Sequence, residues 1–135
     1  MLKKLFLLAV TGLLFSGAFA QSDSARNYKM VVSFHSFASG VPSSKPLTDY
    51  IAKFRKANKI KSISADRIGP YGREGEYKLA FTLKELSKKQ RTLFISRVKK
   101  VVATMNENGS ADLKENVTLL KDDMPARATI EAKKF

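Results

Sequence analysis

Cysteine is absent from all 135 residues. Its absence excludes disulfides, thiolate zinc sites and a lipid-modified N-terminal cysteine, and leaves packing as the source of stability. Histidine occurs once, at His35, so a metal site would need carboxylates to complete it. No cofactor is implied. Two signatures are missing as well: the G-x-x-x-x-G-K-[ST] phosphate loop and the G-x-S-x-G nucleophile elbow. Neither a Walker-type nucleotide site nor an elbow-based hydrolase therefore follows from the sequence. Acidic residues are scarce, with 12 Asp and Glu against 25 Lys and Arg, for a formal charge of +13. Beyond residue 20 there is no long apolar run, so no segment there has the ~20 apolar residues of a membrane anchor.

The one apolar run opens the chain, as MLKKLFLLAVTGLLFSGAFA. Lys3 and Lys4 form a basic start, Leu5 to Phe15 an apolar stretch, and Ala18 and Ala20 frame an A-x-A site before Gln21. This is the pattern of a secretory signal peptide cleaved after Ala20. The expectation is an exported domain, periplasmic or extracellular, and the short leader points to a bacterial source. Removing 20 of the 135 residues leaves 115, enough for one domain with its own core. Without Lys3 and Lys4 it keeps +11 of the +13 charge. Such an excess attracts anionic partners over a screening distance of ~8–10 Å, and it also keeps a small domain soluble.

Periodicity predicts the elements. Residues 21–27 read as a loose N-terminal arm. In YKMVVSFHSF, Tyr28, Met30, Val32 and Phe34 alternate on one face, with Lys29, Ser33 and His35 on the other, as in a half-buried strand. Ser43 or Ser44 caps a first helix with Pro46 in its first turn, and Leu47, Tyr50, Ile51 and Phe54 form its apolar stripe. A second strand is expected over 61–68 and a third through Tyr77, Leu79, Phe81 and Leu83. Ser87 and Gln90 have capping-box spacing and start a second helix that runs to about Met105. Asn108 and Gly109 end it, and a fourth strand passes through Val117 and Leu119. After Pro125 the tail reads either as an edge strand or as a short helix. The order β-α-β-β-α-β predicts an α+β, ferredoxin-like fold: a four-stranded antiparallel sheet with both helices on one face.

That topology brings the loop after the first strand (38–46), the glycine-bearing loop GPYGREGEY (69–77) and the turn after the second helix to one end. Loops on a rigid scaffold are the usual carriers of function. Ser43, Ser44 and Lys45 stand at a helix start, where free N–H groups favour an anion. Arg73 carries a planar fork suited to carboxylate or phosphate. Glu74, Glu76 and Tyr71 are secondary contacts, and His35 lies toward the same end. In the simplest account of GPYGREGEY, Arg73 pairs with one glutamate and the hairpin satisfies itself. Both predicted helices are basic, the second carrying Lys88, Lys89, Arg91, Arg97, Lys99 and Lys100 without an acidic residue.

The expected function is a non-enzymatic binding domain that takes an anionic envelope component or a protein partner through loops 38–46 and 69–77. The alternatives are a small hydrolase of phosphate or acyl groups, with His35 or Glu76 handling protons, and a structural module of an envelope assembly recruited through an edge strand. The predicted outer sheet face, Lys29, Val31, Ser33, His35, Lys78, Ala80 and Thr82, has no aromatic platform. With export, this argues against a nucleic-acid partner. The oligomeric state is not legible.

Overall fold

A computed structural model describes residues 25–135; the leader expected over 1–20 lies outside them. The elements are β1 (Ala25–Ser36), α1 (Lys45–Asn58), β2 (Ser64–Gly69), β3 (Tyr77–Phe81), α2 (Lys88–Val102), β4 (Gly109–Leu120), a 3-10 turn (Lys121–Asp123) and β5 (Thr129–Lys134). The fold is α+β. Its five strands form one sheet in the order β4-β1-β3-β2-β5, every neighbouring pair antiparallel. None of the described helices is long and apolar enough to cross a membrane.

The helices follow the apolar stripes. In α1, Leu47, Ile51 and Phe54 are buried, Pro46 sits in the first turn and left-handed Lys59 (φ 54°) ends the helix. Ser44 holds the N-cap position without a side-chain cap bond. In α2 the capping box forms in full: the Gln90 N–H donates to Ser87 Oγ at 3.2 Å, and the Ser87 N–H donates to Gln90 Oε1 at 3.0 Å. Phe94, Val98 and Val102 face inward. Phe54 and Phe94 meet edge to face at 4.9 Å between helices, and Phe34 stacks on Tyr77 at 4.4 Å within the sheet. Both helices share one core with Met30, Val32, Phe34, Leu79 and Phe81, so they lie on the same sheet face. Each fully buried large side chain contributes roughly 1.5–3 kcal/mol.

The strands depart from the periodicity at several points. β1 begins at Ala25, inside the stretch read as a loose arm, because Ala25 to Tyr28 pair with Leu120 to Val117. β2 starts only at Ser64, β4 runs the full 12 residues, and the tail resolves into the turn plus edge strand β5. The largest departure is a reversal of faces. Met30 belongs to the helix-side core, yet Tyr28, two residues earlier, packs with Val31, Ile68 and Ala80 on the opposite face. In β4, Ala111 and Leu113 pack toward the helices while Val117 and Leu119 pack on the second cluster. The ladder keeps its register, with Tyr28↔Val117 and Met30↔Glu115. Between those pairs Asn116 adopts φ 51°. The side-chain alternation of both strands is thus reset at Lys29 and Asn116, and the outer sheet face expected to be open is not. Val31, Ser33 and Ala80 on it are buried.

What covers that face is the connection from β4 to β5. The two strands occupy opposite edges of the sheet, and Leu120 and Thr129 lie at opposite ends. Residues 121–128 must therefore cross the second face as a strap. Met124 packs onto the cluster there, and an Arg127 Nη donates to the Gly72 carbonyl at 2.7 Å.

Asn116 is the residue type that tolerates the left-handed region at low cost. Asn116→Gly should leave stability within about 0.5 kcal/mol of the parent, whereas Asn116→Val should lose about 1–2 kcal/mol, both read from urea unfolding midpoints.

Candidate functional site

Hydrogen bonds tie the ends of three connections together at one end of the sheet. The Ser36 N–H at the end of β1 donates to Glu76 Oε1 of the second loop at 3.1 Å, and the Phe37 N–H, leading into the first loop, donates to the Asn108 carbonyl of the third at 3.2 Å. The Tyr71 N–H closes GPYGREGEY onto the Glu76 carbonyl at 2.8 Å. Gly109 is needed for close approach rather than for backbone freedom, and Gly72 leaves room for the Glu76 carboxylate. A Cβ on Gly109 would collide with the His35 carbonyl, and one on Gly72 with the Glu76 carboxylate.

Most of the residues expected to contact a ligand there are engaged with the protein itself. Lys45 Nζ pairs with Asp49 Oδ2 at 2.6 Å, and the Lys45 N–H donates to Ser43 Oγ at 3.2 Å. Tyr71 is half-buried, its phenol pushed up by burial, with Lys78 Nζ 4.5 Å from its ring centre. His35 Nε2 meets Asp112 Oδ1 at 2.5 Å, and none of Ser36, Ser43 or Ser44 hydrogen-bonds it. Arg73 and Glu74 are exposed, and the expected Arg73–glutamate ion pair does not form; Glu76 serves Ser36 instead. Lys45, Arg73, Lys78 and Arg127 share this end with Asp49, Glu74, Glu76 and Asp112, so its charge is mixed and it is not a cationic cradle. Among the described residues, no three His, Asp or Glu side chains are grouped to hold a metal.

Positive charge gathers instead on the flank of the sheet where α2 lies beside the β1–β4 ribbon. Two concavities of about 490 Å³ each share Lys29, Arg91 and Asn116. Lys84 lines one of them, Lys88 and Lys99 the other. Glu115 is the one acid in this groove, and it is bound to Lys99 Nζ. Ser96, Thr92 and Thr118 add hydroxyls along its length. Five cations against one carboxylate in a concave site focus a positive field more strongly than the same charges on a convex surface. Arg91 is partly buried, one Nη donating to the Leu86 carbonyl, so its head is held in place. Sequence reasoning found the basic residues of α2 but not the groove, because it put Lys29 on the wrong face. The available signal was Asn116, a residue suited to a left-handed conformation in the middle of an otherwise regular strand.

A third concavity, of about 310 Å³, lies between the strap and the second sheet face. At its edge the Tyr28 hydroxyl donates to Asp66 Oδ2 at 2.6 Å, and Arg26 Nη1 reaches the same oxygen at 3.3 Å. Burial, and then the bond to Asp66, push the Tyr28 phenol up to about 12. Neither the groove nor this concavity is lined by His35, Arg73 or Glu76.

Two substitutions test this geometry. Glu76→Gln keeps an acceptor for the Ser36 N–H and should be near neutral, whereas Glu76→Ala should cost about 1–3 kcal/mol in urea unfolding by leaving that donor unpaired. Tyr28 is protonated in the fold to higher pH than in the unfolded chain. Its contribution is therefore complete below about pH 10 and is lost as pH rises toward about 12, by up to roughly 2–3 kcal/mol. Tyr28→Phe lacks this component, so the stability advantage of the parent over the variant should shrink between about pH 9 and about pH 11.5 in thermal unfolding.

No protein family, curated protein or solved structure matches the chain.

Proposed function

We propose that the chain is an exported binding domain that takes an extended anionic polymer along the groove between α2 and the β1–β4 ribbon. The observation that carries this reading is the convergence of Lys29, Lys84, Lys88, Arg91 and Lys99 on one concave strip that holds a single, already paired carboxylate. Charge that serves only solubility has no reason to gather in a concavity, where mutual repulsion is strongest; an anionic ligand removes that cost. A strip along a helix suits a chain of phosphate, sulfate or carboxylate groups better than a flat lipid surface. Export is supported by the basic start, the apolar run and the A-x-A site of residues 1–20. The β4-β1-β3-β2 part of the sheet, with two helices on one face, supports reading the scaffold as a ferredoxin-like unit extended by β5.

The test is titration of the purified protein with a heparin oligosaccharide and with inorganic polyphosphate. Affinity should fall steeply from about 0.1 M to about 1 M salt, as the screening length drops from ~10 to ~3 Å. Lys29→Gln and Arg91→Gln should each weaken binding about tenfold, the size of one charge-assisted contact of ~1.5 kcal/mol. The pair Lys45→Ala with Arg73→Ala should change it less than about twofold. If the second pair abolishes binding and the first leaves it intact, the ligand sits on loops 38–46 and 69–77 and the groove reading fails.

A further inference from the structure

The concavity beneath the strap has a chemistry unlike that of the groove. Its apolar lining comes from Ile68 of β2, Leu119 of β4, Met124 of the strap and Ile130 of β5. Its polar groups are Arg26 and Lys121. Tyr28 also borders it, but its hydroxyl is committed to Asp66. No acid lines the space. Asp66 lies outside the lining, and the Oδ2 that Arg26 approaches also accepts from Tyr28. Arg26 reaches Asp66 through Nη1, and its side chain is 52% exposed. Lys121 forms no ion pair among the described residues. An apolar enclosure with a few convergent polar groups is the general form of a small-molecule site, and about 310 Å³ lies at the small end of the ~300–1,000 Å³ range for such sites.

We propose that this cavity binds a small amphiphile with a single anionic head and a short unbranched apolar tail. The tail lies between Ile68, Leu119, Met124 and Ile130, and the head meets Arg26 and Lys121 at the mouth. The two lining cations set the sign of the head. The apolar side chains favour an occupant with a tail over a fully polar anion such as inorganic phosphate, and the lining cations favour an anionic head over an amine. Because Lys121 and Met124 belong to the strap and its 3-10 turn while Ile68 belongs to the sheet, an occupant bridges the two and ties the strap down.

The experiment titrates the full chain with octanoate, octyl phosphate and octan-1-ol below their aggregation concentrations. Binding is followed by the methyl resonances of Ile68, Met124 and Ile130 and by the melting temperature. Octanoate and octyl phosphate should shift those methyls and raise the melting temperature, and octan-1-ol should bind at least about tenfold more weakly. The stronger of the two anions identifies the head as carboxylate or phosphate. Ala128→Phe fills the lining and should abolish the shifts. Lys121→Gln, at an exposed position where folding is not at stake, should weaken both anions about five- to tenfold and leave octan-1-ol unchanged. The proposal is overturned if none of the probes moves those methyls, if octan-1-ol binds as tightly as octanoate, or if Lys121→Gln leaves the anions unaffected.

Discussion

Two paired antiparallel strands cannot exchange their faces one at a time. If Tyr28 turns away from the helices while its partner Val117 does not, the side chains of the pair are left on opposite sides of the ladder. In this protein both turn together, with register preserved on either side of Lys29 and Asn116. Everything that distinguishes the molecule from a plain two-layer α+β domain depends on that concerted reset. Ahead of it in β1, Arg26 and Tyr28 are delivered to the second face, where Tyr28 and Ile68 found a second cluster. At it, Lys29 is delivered to the flank beside α2. A single left-handed residue thus creates the apolar floor of one concavity and the positive wall of another.

The distribution of charge follows from the same geometry. At the loop end, carboxylates are held close to the cations: Asp49 stands one helical turn from Lys45, and Glu76 is folded under Gly72 onto the backbone of β1. On the α2 flank the sequence provides no acid between Lys88 and Val102, and the nearest strand offers only Glu115. The two ends of the molecule therefore differ in kind. One is a set of hydrogen bonds that ties three loops together, and the other is an unbalanced field. The first stabilises the scaffold; the second is where an opposite charge gains most.

How much of this was legible in the sequence depends on whether the signal was local. The capping box at Ser87 and Gln90, the stripe Leu47, Ile51, Phe54 and the alternation of Tyr77 to Phe81 are local, and each corresponds to an element in the fold. The meeting of three loops followed from strand direction, which the element order dictates. The reset did not show, because Tyr28, Met30, Val32 and Phe34 share parity and are all apolar, as are Leu113, Val117 and Leu119. Periodicity records that such residues are buried, not on which side. The strap was hidden for a related reason. Nothing in KDDMPARA announces that it must cross a sheet; that follows from β5 pairing with β2 rather than with β4, a contact about 60 residues away along the chain. The occupation of Glu76 by Ser36 and of Asp66 by Tyr28 likewise joins residues 40 and 38 positions apart.

The residues beyond β4 serve the two faces of the sheet unequally. The helix-side core contains only one residue from beyond β4, Phe135, at its margin. The second cluster needs Met124 and Ile130 to close it. Residues 121–134 hold the second cluster, one edge ladder and the Arg127 tether, and Phe135 fastens their end to the first core through two backbone bonds with Ile63 and its stack on Phe81. The chain's last fifteen or so residues thus close one cluster and are pinned at their end to the other, so the two faces of the sheet are linked through the C-terminus.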